Sequence, residues 1–142
     1  MIKLVRLDYR LLHGQVVFSW TGHVGAQRII VVDDDAANDE MKKSALLLSK
    51  PAGVRVNIFT VDKAIAKMPK VEQLDEKIMM IFGNTAALLK FCQAYPKIKE
   101  INYGAVANKP GSKAFDQSVF LTPEEQADTQ KLLDLSLIHI SE

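Results

Sequence analysis

Cysteine is nearly absent from this chain. Cys92 stands alone among 142 residues, which excludes an internal disulfide and any cysteine-built metal cluster. It falls in the apolar-periodic stretch 85–95, where a small core residue is expected rather than a reactive thiol. An excess of one charge is also missing: 18 Lys+Arg face 17 Asp+Glu, scattered along the chain. No basic stripe of the kind nucleic acid requires can be assembled from them, so nucleic acid is set aside as a partner. Long apolar runs are absent too. None approaches the roughly 20 residues needed to cross a bilayer, and the opening MIKLVRLDYR places charges where a signal peptide needs its apolar stretch. A cytoplasmic protein is therefore expected. What remains is an ordinary globular composition, 48% hydrophobic and 25% charged, long enough to bury a core in one domain.

Strand-like and helix-like segments alternate from the first residue. The stretches 2–7, 28–32, 54–59, 77–82 and 100–103 read as short β-rich strands. Between them, 15–25, 39–49, 61–68 and 85–95 show the wider apolar spacing of helices. This alternation predicts an α/β fold: an open, mostly parallel twisted sheet with helices on both faces, in a single domain. Asn38 and Asn84 stand where N-caps belong. Thr122-Pro123-Glu124-Glu125 supplies a cap, a proline at the first helical position and a returning glutamate, so a last helix is expected over 123–135. The stretch 118–121, SVFL, is a candidate edge strand. In open α/β sheets, ligands bind beyond the carboxyl ends of the strands. That rule singles out the loops Asp8–Gly14, Asp33–Asn38, Thr60–Val61, Gly83–Asn84 and Gly104 onward.

The first of these loops reads DYRLLHG. His13 is its one side chain able to act as a nucleophile near neutral pH without a special activator. Gly14 allows close approach of backbone and anion, and the helix that follows offers unpaired N–H groups. Arg10 can fork two donors onto phosphate oxygens. Asp8 is a candidate to accept the proton on the other ring nitrogen and so fix the tautomer. His13, Arg10 and Asp8 are thus the candidate catalytic residues. On physical grounds alone, a surface or capping histidine would look much the same.

The longer segment RLDYRLLHGQVVFSW (6–20) closely resembles the phosphorylation-site segment of IIB components of the mannose/fructose/sorbose-type sugar phosphotransferase system, sorbose subfamily. The resemblance continues through RIIVVDDDAANDEMKK (28–43), PAGVRVNIFTVDKAI (51–65), KEINYGAVANKPG (99–111) and the TPEE helix, to about Leu135. It implies a phosphoryl carrier, a protein-phosphohistidine–sugar phosphotransferase component. The carrier would accept phosphate from a phosphohistidine of a IIA component onto Nδ1 of His13. It would pass that phosphate to a sugar imported by IIC and IID membrane components, with Arg10 steadying the phosphate and Asp8 beside it in the loop. No metal or organic cofactor is implied, and peripheral association with the inner face of the membrane through the transport complex is. A homodimer is left open. The alternative from another class is a non-catalytic α/β module in which His13 hydrogen-bonds an anionic ligand.

The remaining candidates have plainer readings. Asp33-Asp34-Asp35 is expected to turn and cap rather than bind metal. An aspartyl-phosphate receiver would also need an acceptor Asp after a central strand, and Ile58-Phe59-Thr60 matches poorly. The resemblance adds that Asp34 could orient the active loop. His23 is expected at the surface or in packing, and Trp20 in packing or, with Leu11, framing a shallow patch around an exposed His13. Gly83, Asn84 and Gly104 read as turn and cap residues. The end of the chain, LSLIHISE, departs from the family pattern, so the phosphotransferase domain is expected over 1–135 and an atypical tail, of truncated or non-native origin, over 136–142. A final edge strand is in doubt, and His139 receives no functional weight.

Overall fold

A computed structural model of the protein describes residues 1–141. Six parallel strands form one sheet in the order β3-β2-β4-β1-β5-β8. They are β1 (Ile2–Asp8), β2 (Arg28–Val32), β3 (Arg55–Phe59), β4 (Ile78–Phe82), β5 (Glu100–Ala105) and β8 (Leu137–Ile140). The helices are α1 (Gln15–Val24), α2 (Asp34–Ala37), α3 (Glu40–Leu48), α4 (Val61–Val71), α5 (Thr85–Ala94) and α6 (Pro123–Leu133). The period-two alternation of the strands divides the core. Ile78, Met80 and Phe82 join Val5, Leu7, Ile30 and Val32 on one face, covered by Ala64 and Met68 of α4, Leu88 and Phe91 of α5 and Leu132 of α6. Met79 and Ile81 join Ile29 and Val31 on the other, under Val17 of α1, Ala36 of α2 and Leu46 of α3. The expected single-domain α/β sheet with helices on both faces is what forms. Cys92 is buried in the first of these clusters, and burial pushes its thiol up to about 12, so it packs as a small apolar residue.

Local signals explain most boundaries. Asn84 caps α5 through Ala87 N–H, 2.8 Å away. Thr122 and Glu125 complete a reciprocal capping box at α6. Four expectations need correction. Asn38 ends a single-turn helix, α2, rather than starting α3; Asp39 is the cap of α3, accepting from Met41 N–H at 3.0 Å and Lys42 N–H at 3.2 Å. Helix α4 does not stop at Met68 but continues through Pro69 to Val71, because a proline in a last turn removes only one carbonyl's partner. SVFL meets the main sheet through one parallel bridge, Val119 to Val106 just past β5, and adds no full strand to it. Phe120–Leu121 (β7) pairs antiparallel with Lys113–Ala114 (β6) in a separate two-stranded ribbon. Finally, the doubted edge strand exists: Leu137–Ile140 pairs with Glu100–Tyr103, and His139 lies opposite Asn102.

Candidate active site

Strand β1 delivers its last residues to the sheet's carboxyl edge, and the chain then turns twice within six residues. Leu11 N–H donates to Asp8 C=O at 3.1 Å, and His13 N–H donates to Arg10 C=O at 3.0 Å. Leu11 takes the left-handed conformation, φ 55°, rare for a branched apolar side chain. Its side chain is held inward, 8% exposed, against the cluster under α1. It therefore anchors the loop from below and does not frame a surface patch. His13 comes out on the exposed side. Gly14 follows with φ 104°, closed to L side chains, and no side chain caps the first turn of α1. The N–H groups of that turn thus stand next to His13 with no side-chain acceptor on them, which is the arrangement that draws an anion.

Beneath the loop lies a buried charge network. Arg6 and Asp8 are both 0% exposed. Asp8 takes four donors: Oδ1 accepts Arg10 N–H and Nε, each at 3.0 Å, and Oδ2 accepts Arg10 Nη2 at 3.0 Å and Arg6 Nη2 at 3.3 Å. Arg6 Nη1 also donates to Asn102 Oδ1 and to Ser141 C=O, the latter at 3.0 Å. Trp20 of α1 lies over the Arg6 guanidinium, 5.4 Å from ring centroid to Cζ. Gly104 is in β5 because a Cβ there would run into the Arg6 guanidinium. It is a space-making glycine, not a turn residue. Two arginines thus close on one carboxylate directly under the loop.

The structure thus brings Asp8, Arg10 and His13 into one loop, but corrects the task given to Asp8. Its oxygens serve two arginines, and among the described residues no hydrogen bond links it to His13. The His13 ring instead meets Ser49, at the C-cap of α3, with Oγ 3.3 Å from Nδ1. Sequence reasoning missed both Ser49 and Arg6. The signal for Arg6 was present: a charge at the alternate positions 6, 8 and 10 as an apolar strand runs out. Ser49 carries none, since 36 positions separate it from His13.

The acidic triplet turns and caps as expected. Asp33 accepts Ala36 N–H at 2.9 Å and caps α2, and Asp35 pairs with Lys42. Asp34 does not orient the active loop; its Oδ1 accepts Val61 N–H at 2.8 Å, opening α4. Asp33 is the member beside the loop, because its carboxylate and Leu11 close over Gly83, where no Cβ would fit. Burial raises the Asp33 carboxyl above its ordinary value, its carboxylate neighbours adding to the rise. His23 is exposed and meets Trp20 edge-on, 5.8 Å between centroids. Among the described residues, no cluster of three or more His, Cys, Asp or Glu could hold a metal ion.

Comparison with known proteins agrees with this geometry. The family model "PTS system sorbose subfamily IIB component" matches residues 2–137. The chain belongs to that family. A sorbose-specific EIIB component of Klebsiella pneumoniae is 36% identical over 87% of this chain and 76% of its own length. A mannose-specific EIIAB component of Escherichia coli is 31% identical over 93% of this chain but 41% of its own length. The crystal structure of the IIBSor domain of the Klebsiella pneumoniae sorbose permease superposes with a TM-score of 0.92 at 32% identity, covering 99% of this chain and 87% of that one. The chain is thus a sorbose-type IIB component with a role in a sugar phosphotransferase system, working with that system's other components. No helix among the described residues is long and apolar enough to cross a membrane.

Proposed function

We propose that the chain carries a phosphoryl group on His13, taken from a phosphohistidine of a IIA component and passed to a sugar imported by IIC and IID components. The observation that carries this reading is the setting of His13: exposed, beside an uncapped helix start, and close in the same loop to Arg10, which is held on the buried Asp8. Phosphoryl transfer passes through a loose transition state with charge spread over the phosphoryl oxygens, so catalysis is mostly positioning and electrostatics. Arg10 is held by its Nε and Nη2 on Asp8, an orientation fixed before any phosphate arrives. The helix start adds partial positive charge from the other side. Donor and acceptor are both imidazoles, so the transfer is nearly balanced in energy and reversible, as a relay requires. An exposed His13 lets a partner's histidine come within bonding distance, which a pocket floor would prevent.

A carrier of this kind works in the cytoplasm, peripherally held at the inner membrane face through its complex. Incubation with phosphoenolpyruvate, the general phosphotransferase proteins and a IIA component should add one phosphate, stable in base and labile in acid. His13→Ala should fold within about 0.5 kcal/mol of the parent and accept none, whereas His23→Ala and His139→Ala should label fully. Phosphate mapped to either of those histidines, or a labelled His13→Ala, would overturn the assignment.

A further inference from the structure

Resting on the carrier reading, we propose that Ser49 is a positioning residue for the transfer: its hydroxyl donates to Nδ1 of His13 and so holds that nitrogen's lone pair ready. A neutral imidazole carries its single hydrogen on one of two nitrogens, and the partner of the ring decides which. Asp8, the carboxylate nearest in sequence, is fully engaged by Arg10 and Arg6. Ser49 Oγ lies 3.3 Å from Nδ1. Its backbone is fixed as the C-cap of α3, with N–H donating to Leu46 C=O at 3.0 Å, so the hydroxyl is presented by a helix end rather than a loose loop.

The same Oγ lies 3.1 Å from Ala45 C=O, and one hydroxyl hydrogen cannot serve both acceptors at once. Rotation about Cβ–Oγ passes it from one to the other without moving a heavy atom. Ala45 is exposed, so water can take over at its carbonyl. With the hydroxyl on Nδ1, the ring hydrogen sits on Nε2. In the transfer the donor's P–N bond breaks, and its electron pair stays on the donor nitrogen. The Nδ1 lone pair forms the new P–N bond. The Nε2 hydrogen remains, and His13 takes on the positive charge that the donor's phospho-imidazolium ring gives up. Ser49 must yield its place at that moment, and its small, half-exposed side chain can turn to donate to a phosphoryl oxygen instead.

Ring-nitrogen NMR of the whole 15N-labelled protein reads this directly, before any phosphate is added. In the neutral ring Nδ1 should show the shift of a lone-pair nitrogen and Nε2 that of N–H. Ser49→Ala should move the ring toward a mixture of tautomers with the circular dichroism unchanged. It should slow transfer from phospho-IIA several-fold, and Ser49→Thr should restore both readouts. A parent ring with hydrogen on Nδ1 overturns the proposal, as does a Ser49→Ala protein with unaltered ring signals and rate. If no variant takes phosphate on His13, the carrier reading fails, while the ring signals still decide the contact.

Discussion

Strands β1 and β4 lie side by side at the centre of the sheet, paired from Ile2 with Ile78 to Leu7 with Phe82, yet they bury opposite kinds of side chain. All five residues of β4 are apolar and 0% exposed. On β1, Val5 and Leu7 continue that pattern toward one face, while Arg6 and Asp8 are as deeply buried as Met80. Burying an apolar side chain contributes about 1.5–3 kcal/mol. A buried ion pair is often no better than the hydrophobic residues that could replace it. A sheet shaped by stability alone would therefore continue β4 through β1. The difference separates two tasks in adjacent strands: β4 holds the sheet together, and the carboxyl end of β1 holds Arg10 and the loop bearing His13.

The largest effect should come from breaking the charged side of this comparison. Asp8→Ala leaves two arginine heads without their shared carboxylate and should cost about 3–5 kcal/mol. Met80→Ala in β4 opens a cavity and should cost about 2–5 kcal/mol. Urea unfolding measures both, and transfer to the folded fraction separates them. Asp8→Ala should lose transfer per folded molecule; Met80→Ala should keep it. Equal transfer in the two would erase the distinction between the strands. Arg10→Lys is a milder cut. It keeps the charge but not the two-donor hold on Asp8. Losing one charge-assisted hydrogen bond of about 1.5–3 kcal/mol slows transfer about ten- to a hundredfold. The unfolding midpoint should barely move, because Arg10 is partly exposed. A Lys variant at full rate would leave the fork structural only.

Sequence patterns made β4 and its partners legible because period-two burial is a local property: strands β1 to β5 fall within two residues of their expected limits. His13 was legible for a similar reason, since a loop after the first strand, a glycine and a helix start are all contiguous. What escaped depended on distant residues. Asp8 seemed available to His13 until Arg6 and Arg10 surrounded it, and Ser49 reaches the ring from the end of α3. Strand β8 was doubted because its sequence is atypical, but the edge of β5 offers free backbone donors and acceptors that Leu137–Ile140 can pair with whatever its side chains. Asn38 misled because two capping residues, Asn38 and Asp39, compete one position apart, and only the short α2 decides between them.

The smallest effect belongs to a third region, the start of α6, where charges stabilise the chain without serving the loop. Thr122 Oγ1 accepts Glu125 N–H at 3.2 Å, Glu125 Oε1 accepts Thr122 N–H at 2.9 Å, and Lys109 Nζ sits 3.0 Å from Glu125 Oε2. Burial alone would raise the Glu125 carboxyl, but these donors outweigh it and hold the group below its usual 4.5. Stability from an acid with a lowered folded value is fully present above its unfolded value. It is lost as pH falls through the folded one. Thr122→Ala should therefore cost about 1 kcal/mol at neutral pH. Glu125→Gln should flatten the stability profile below pH 4.5, where the parent weakens. Both variants should transfer phosphate at the parent's rate. A Thr122→Ala protein as slow as Arg10→Lys would mean that the loop draws on the whole molecule's stability, and the contrast between β1 and β4 would lose its functional meaning.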